Sequence, residues 1–391
     1  MVRRVTSWCA ALVKARAINY IVHQFFRLPL APRAINVYIS AVHNAKANLM
    51  AVKALSACAL VGAALVSLPA GAQEATWQAV FSIPTTNGLM APSKVFIDDV
   101  NASCKGLLSI NLRGGPEVIP TNDQLNAIRR GVVQLYSGAA GYYEGQVPEV
   151  DALYGSNKTA MEQRRDGGFK LLDEAFTRVN AKFLAEFGSG FKFVIMTKEK
   201  PKIAPDGMVD LKGVKIRGTA TYKGLYDFLG INRVSLFAPE FYNALERGLV
   251  DGIGWTTSGI TDGGWERFLK YRIHPYFMQG GLPLLANLDA YNKLSPKARD
   301  CLEKKLVEHE AKAHQHFTED ALRELDKMKK AGTEVIELQG EARKRYQQAF
   351  QDTHWKFMVE DLKAPAAKVE QLRKVFFDPS RPVGQFGPTA Q

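Results

Sequence analysis

Acidic side chains are absent from the first 72 positions of this chain, which carry eight Lys or Arg. Of the formal net charge of +12, the remainder therefore keeps only +4, from 43 basic against 39 acidic residues. The basic balance is thus no sign of a nucleic-acid partner, and no basic stretch beyond this leader is interleaved with aromatics as such a surface requires. Cysteine is scarce as well: Cys9 and Cys58 stand in the leader, and only Cys104 and Cys301 follow. No CxxC or Cys/His spacing suggests zinc. Separation in sequence does not say whether two Cα atoms come within ~7 Å, so Cys104 and Cys301 are open to being one bridge or two thiols. Catalytic signatures are missing too: there is no GxSxG elbow, no HExxH, no P-loop and no GxGxxG after a strand. His23 and His43 lie in the leader, while His309, His314, His316 and His354 fall on C-terminal helical patterns where exposure is expected. No carboxylate pair stands at glycosidase-like positions. The expectation is a chain that is not an enzyme and has no cofactor and no metal.

The apolar run from Ala54 to Leu68 is short of the ~20 residues that a membrane span needs. With Met50-Ala-Val-Lys53 before it and Ala70-Gly-Ala72 after it, it reads as an export signal over residues 50–72, cut after Ala72, that sends the chain to the periplasm. Leu55-Ser-Ala-Cys58 matches a lipid-attachment box, but the apolar run continues past Cys58 and a cleavage site follows. Residues 1–49 have three readings. They are an over-extended start with Met50 the true one, which the complete signal at Met50 favours, or a long basic n-region, or an Arg-rich presequence.

The remaining length suits two domains. Alternating patterns predict strands over Trp77–Ile83, Leu107–Leu112 and Val132–Leu135, and helices over Ala91–Ala102 and Asn122–Arg130. A helix over Leu171–Phe187 and a strand over Phe191–Met196 follow. Such alternation implies an α/β protein with a parallel-rich sheet. The last third reads as long helices, Pro296–Met328 and Ala342–Leu362, with Leu302, Leu306, Leu322 and Leu325 as buried candidates.

Two segments carry the functional signal. Asp210-Leu-Lys-Gly-Val-Lys-Ile-Arg217 is a polar turn leading into a short apolar strand that ends on a permanent cation. Glu240-Phe-Tyr-Asn-Ala-Leu-Glu-Arg-Gly-Leu-Val-Asp-Gly252 is a helix with Phe241, Leu245 and Leu249 at i, i+4 spacing, broken at Gly248 and followed by a strand. Together they read as a βαβ unit with Arg217 where an anion would be met.

With Leu229-Gly230 between them, these segments resemble the solute-binding proteins of TRAP (tripartite ATP-independent periplasmic) transporters, the DctP family. Gly131 to Glu149 is similar to another stretch of that family, and Leu284 to Ser295 with the charged helix after it resembles its closing part. The resemblance covers roughly residues 75 to 360. It implies an α/β, two-lobed periplasmic binding protein fold, with a cleft between two mixed, mostly parallel sheets and long C-terminal helices. Lobe I would take residues 73–194 with a contribution from about 255–285, and lobe II residues 195–254 completed by about 286–391.

By the same resemblance, Arg217 is the carboxylate anchor, its planar fork matching both oxygens of an acid group. Trp255 stands where a branch of the family that binds 2-oxo and similar monocarboxylic acids has Trp, and would supply an apolar wall with one N–H donor. Gly254 departs from that branch, which usually places there a Glu that helps hold a cation; a metal-bridged ligand is thereby in doubt. Lys192 falls where several members carry a second Arg. Tyr142 and Tyr143 sit in a Gly-rich loop after a strand, a common ligand position, and Tyr222 and Glu117 complete the candidates, although Glu117 would repel an anion.

The function implied is a periplasmic receptor that binds a small organic acid and delivers it to integral-membrane TRAP permease subunits. The partners expected are a small carboxylate and the permease, with no nucleic acid; a homodimer is compatible with the long C-terminal helices. A secreted α/β enzyme acting on small acids, or a ligand sensor of the same fold, are the alternatives.

Overall fold

The computed structural model describes residues 75–382, which belong to one compact unit. The expectations for the leader, the signal peptide and its cleavage site fall outside the described residues. In chain order the strands are β1 (Ala75–Phe81), β2 (Leu108–Gly114), β3 (Leu135–Ser137), β4 (Ala181–Glu186), β5 (Lys192–Thr197), β6 (Lys202–Ile203), β7 (Val209–Asp210), β8 (Lys215–Arg217), β9 (Asn232–Val234), β10 (Gly252–Thr256), β11 (Tyr271–Gln279), β12 (Pro283–Asn287) and β13 (Glu334–Glu337). Two mixed sheets result, with strand orders β2-β1-β3-β12-β4 and β13-β11-β5-β10-β8-β9; β6 and β7 form a small ladder apart.

In the first sheet β1 lies parallel to β2 and β3, while β12 runs antiparallel to β3 and β4. In the second, β8 is parallel to both β9 and β10, and β5 is antiparallel to β10 and β11. This pairing corrects the expected segmentation at two points. Lys192 to Val194 stand in β5 of the second sheet, and within 255–285 it is β10 and β11 that belong to the second sheet, with only β12 returning to the first. Hydrophobic pattern cannot reveal this, because every strand concerned is buried on both faces and reads alike.

The chain crosses between the sheets over residues 187–191, again over 280–282 and finally over 288–333, and the first two crossings touch. Gly280 N–H donates to Phe191 O at 2.8 Å and Phe187 N–H to Leu282 O at 3.1 Å. A Cβ on Gly280 would lie 2.0 Å from the Phe191 ring, so only glycine allows the approach. The buried Glu186 carboxyl accepts backbone N–H groups from Gly188 and Leu282, one on each of these two crossings. Burial pushes its pKa up to about 8.

Around this frame lie the helices. The 35-residue helix Pro296–Lys330 starts at Ser295, whose side chain accepts from Ala298 N–H, and buries Leu302, Leu306, Ala313, Phe317 and Met328. Leu325 is half-buried, but Leu322 is exposed, contrary to expectation. Five residues beyond Phe317 it is turned ~140° away from the buried stripe at 3.6 residues per turn. The helix is bridged to the end of Ala91–Ser103 by a Cys104–Cys301 disulfide with Cα atoms 5.9 Å apart. His309 and His354 are buried rather than exposed, His309 against Asp99 and His354 against the Asp151 carbonyl.

Two further expectations shift. The predicted helix over Leu171–Phe187 ends at Thr177, and Asn180 at φ 53° turns the chain into β4. The helix Phe241–Glu246 buries Phe241 and Leu245 but stops before Leu249, which is exposed because Gly248 at φ 69° has already broken the turn. Among the described residues no helix is long and apolar enough to cross a membrane.

Candidate functional site

The turn Asp210–Gly213 ends where β8 begins, and β8 lies between two parallel neighbours, so its last residue arrives at the carboxyl edge of a parallel strand set. Ligands of α/β proteins collect at such edges. Here stands Arg217, only 1% exposed. Its Nε–H donates to Leu236 O at 2.9 Å and Nη1 to Gly254 O at 3.1 Å, which fixes the plane of the guanidinium. Nη2 is buried and meets no acceptor at hydrogen-bond geometry among the described residues, although the Tyr142 and Tyr222 phenols lie near enough to interact with the guanidinium. Aromatic faces surround the charge, with the Phe241 ring centre 4.6 Å and the Trp255 ring centre 5.3 Å from the guanidinium carbon. Such faces attract a cation and exclude water. Among the described residues no carboxylate forms an ion pair with this buried cation, which faces neutral carbonyls and rings, so its charge is left to be met by something that enters.

What would enter has a place. A narrow hollow adjoins Arg217, and its walls come from both sheets. Ala139, Gly141 and Tyr142 belong to the loop after β3, while Phe193, Thr219, Tyr222 and Trp255 belong to the second sheet and its loops. Three further polar atoms of this lining are buried without a hydrogen-bond partner: Tyr142 OH, Thr219 Oγ1 and Trp255 Nε1. Buried polar atoms are rarely left so. With Arg217 Nη2 they make four groups able to donate toward one small volume. Burial raises the Tyr142 phenol pKa, against the opposing pull of the Arg217 charge, so Tyr142 holds its proton and remains a donor. Arg217 is 1% exposed and its neighbours Tyr222 and Trp255 are 2% exposed, so the walls close tightly on the hollow.

Of the candidates read from sequence, Arg217, Trp255, Tyr142 and Tyr222 meet at this hollow. Tyr143, Lys192 and Glu117 do not. Tyr143 turns into the first sheet's core, edge-on to Tyr136 and Phe176 with ring centres 5.7 and 5.9 Å away. Lys192 alternates with Phe193 along β5; since Phe193 lines the hollow, Lys192 points to the other face. There its Nζ donates to Ser189 O at 2.7 Å, and burial brings its pKa down to about 7. Glu117 is exposed and folds onto its own loop, accepting from Gly115 N–H at 2.6 Å, so the anticipated repulsion of an anion does not arise.

Sequence reasoning missed Thr219, Phe193, Leu89 and Tyr154. Thr219 had a signal, standing two residues beyond the strand-end Arg. Tyr154 had none: it reaches the hollow from a distant helical turn, where its OH accepts from Gly141 N–H at 2.9 Å. Gly254 has a steric reason for its identity. A Cβ there would lie 2.4 Å from the Tyr226 hydroxyl and 2.8 Å from the Tyr222 ring, so any side chain at this position would have to displace both tyrosines.

The comparisons agree on the class of protein. Residues 84–361 match the family model for bacterial extracellular solute-binding protein, family 7, DctP. A monocarboxylate 2-oxoacid-binding periplasmic protein of Nostoc sp. is 25% identical over 280 residues, covering 68% of this chain and 74% of its own. The C4-dicarboxylate-binding periplasmic protein DctP of Rhodobacter capsulatus is 25% identical over 260 residues, 64% of this chain and 76% of its own. In fold the chain is similar to DctP7 of Bordetella pertussis, an extracytoplasmic solute receptor binding pyroglutamic acid. That match has a TM-score of 0.66 at 20% identity over 77% of this chain and 99% of the other. It is similar as well to a TRAP periplasmic solute binding protein from Desulfovibrio salexigens with bound orotic acid, at TM-score 0.68 and 17% identity, over 77% and 97%. A family match across most of the described residues makes this chain a member of the bacterial extracellular solute-binding protein family 7, the DctP family of TRAP solute receptors.

Proposed function

We propose that Arg217 anchors the carboxylate of a small organic acid in this hollow, and that the protein presents the bound acid to integral-membrane TRAP permease subunits in the periplasm. The observation that carries the reading is the unpartnered Nη2 of a guanidinium that is 1% exposed and lines the hollow. A fork held by two backbone carbonyls offers its remaining edge in one direction, which selects an acid by orientation as well as charge. Tyr142 OH, Thr219 Oγ1 and Trp255 Nε1 suit neutral acceptor atoms such as an oxo or hydroxyl oxygen. One cation and several neutral donors fit a monocarboxylate with an adjacent acceptor better than a dicarboxylate, whose second charge would be buried unpaired. The 2-oxo acids named for the Nostoc relative have this chemistry.

The work is thermodynamic. The solute has to bind the closed arrangement better than the open one, and that difference moves the walls. A thermal-shift screen of the purified protein against small organic acids tests this, since a solute at a hundredfold excess over Kd stabilises by about 2.7 kcal/mol. A panel of 2-oxo and 2-hydroxy monoacids is expected to raise Tm, with neutral amides of the same acids inactive. Equal shifts from acid and amide would refute the anchor.

A further inference from the structure

Just behind the hollow, two carboxyls and a hydroxyl join its two walls. Glu144 lies two residues past Tyr142 in the segment after β3, and Thr221 two residues past Thr219 in the turn after β8. Thr221 Oγ1 is 2.5 Å from Glu144 Oε2 and 3.0 Å from Asp151 Oδ1. The three residues are 2%, 7% and 0% exposed in that order. A hydroxyl has one proton to donate. It cannot satisfy two carboxylates, so both contacts are made only when one carboxyl keeps a proton and donates in turn.

Among the described residues no Lys or Arg forms an ion pair with Glu144 or Asp151. From the helix Gly340–Glu360, His354 Nε2 is 3.0 Å from the Asp151 carbonyl oxygen and Nδ1 is 3.8 Å from Asp151 Oδ2. Burial brings the pKa of this imidazole down to about 4, so it is neutral. Arg233 of β9 attracts the charge on Glu144 from a distance, its own Nη1 lying 3.4 Å from Gly218 O. The phenols of Tyr154 and Tyr222 also face the pair, and burial keeps both protonated. Burial raises the pKa of both carboxyls, and the neighbouring Glu144 raises that of Asp151 further.

The walls must part for a solute to reach Arg217, because the guanidinium is buried beneath them. Parting separates Glu144 from Thr221 and returns Glu144 to water, where a carboxyl ionises near ~4.3. We propose that Glu144 is a positioning residue that latches the two walls through Thr221, and that the latch forms with one proton shared by Glu144 and Asp151, so that closing over the solute takes up a proton. The inference extends the carboxylate reading above to how its site closes.

The linkage has a definite sign. The closed state holds the proton more tightly than the open one, so closure is fully favoured below the ordinary carboxyl range. That advantage is lost as pH rises toward the raised range, by about tenfold in Kd per pH unit.

Calorimetric titration of the protein with pyruvate as a 2-oxo probe, in two buffers of different ionisation enthalpy, reads the proton directly. Wild type is expected to take up about one proton per pyruvate bound, and Glu144→Gln about none, with a flat pH profile. No uptake by wild type, or uptake that persists in Glu144→Gln because His354 or another group supplies it, overturns the proposal. A second measurement needs no solute: hydrogen exchange at Gly218 and Tyr222, whose amides donate to Val234 O and Thr219 O. After correction for intrinsic rates, their protection is expected to be higher at about pH 5 than at about pH 8 in wild type and equal at both in Glu144→Gln. Equal protection in wild type refutes the latch even if no acid binds, whereas absence of binding by pyruvate and every other acid refutes only the carboxylate reading.

Discussion

Arg217→Ala tests the site most directly, and its effect can be worked from the contacts. A carboxylate about 4 Å from the guanidinium at an effective dielectric of about 20 gains about 4 kcal/mol of Coulomb energy. Removing one partner of a desolvated pair generally costs about 3–5 kcal/mol. Affinity should therefore fall by ~100- to ~5000-fold. Unlike a purely exposed anchor, Arg217 also supplies donors to the Leu236 and Gly254 carbonyls. Truncation leaves both oxygens unpaired, and with water entering the space vacated the fold should lose about 2 kcal/mol. Two readouts separate the effects: calorimetric Kd at a temperature where the variant is folded, and the denaturation midpoint. Arg217→Lys keeps the charge but not the fork, so an intermediate loss of ~10- to ~100-fold is expected. If Arg217→Ala binds the same acids within about threefold of wild type while remaining folded, the guanidinium is not the anchor and the reasoning fails.

Other outcomes follow from the same contacts. Gly254→Ala forces a Cβ to within 2.4 Å of the Tyr226 hydroxyl, and should both weaken solute binding and lower stability by about 1–3 kcal/mol, read by titration and urea denaturation. Thr219→Val removes an unpartnered hydroxyl while keeping shape, so a loss of affinity with unchanged Tm would mark it as a solute contact, and no loss would exclude it. Reducing the Cys104–Cys301 bridge, which spans 197 positions, should cost ~3–5 kcal/mol in denaturation experiments, and a Cys104→Ser, Cys301→Ser protein that melts like wild type would contradict this. Glu186 binds its proton more tightly folded than unfolded, so its contribution is present below the ordinary carboxyl range and lost as pH rises through about 8; Glu186→Gln should flatten that part of the stability profile.

A cation at a strand end was legible in the sequence because a turn, a short apolar strand and a terminal Arg are local features, while the roles of Arg217 and Trp255 were implied by the resemblance to the DctP family. The polar turn at Asp210, the strand through Ile216 and the break at Gly248 all follow from neighbouring residues, whereas the parallel pairing of β8 with β10, which sets Ile253 opposite Arg217, is a tertiary contact. The pair Tyr142 and Tyr143 shows where local reading ends. Both sit in one Gly-rich turn, yet one faces the hollow and the other packs on Tyr136 and Phe176, a choice made by the direction of the backbone at that turn. Lys192 and Phe193 divide in the same way along β5.

What the sequence determined by itself was the α/β class, part of the strands and helices and the presence of a cation at a strand end, since each depends on side-chain periodicity and turn residues within a few positions. Tertiary structure decided the rest. It chose which sheet received β11 and β12, whether Cys104 and Cys301 met, and which distant groups, Tyr154, Glu144 and Thr221 among them, gathered at the wall. Those outcomes depend on contacts between residues tens to hundreds of positions apart, where neighbouring side chains exert no preference and only the packing of one sheet against the other sets the distance.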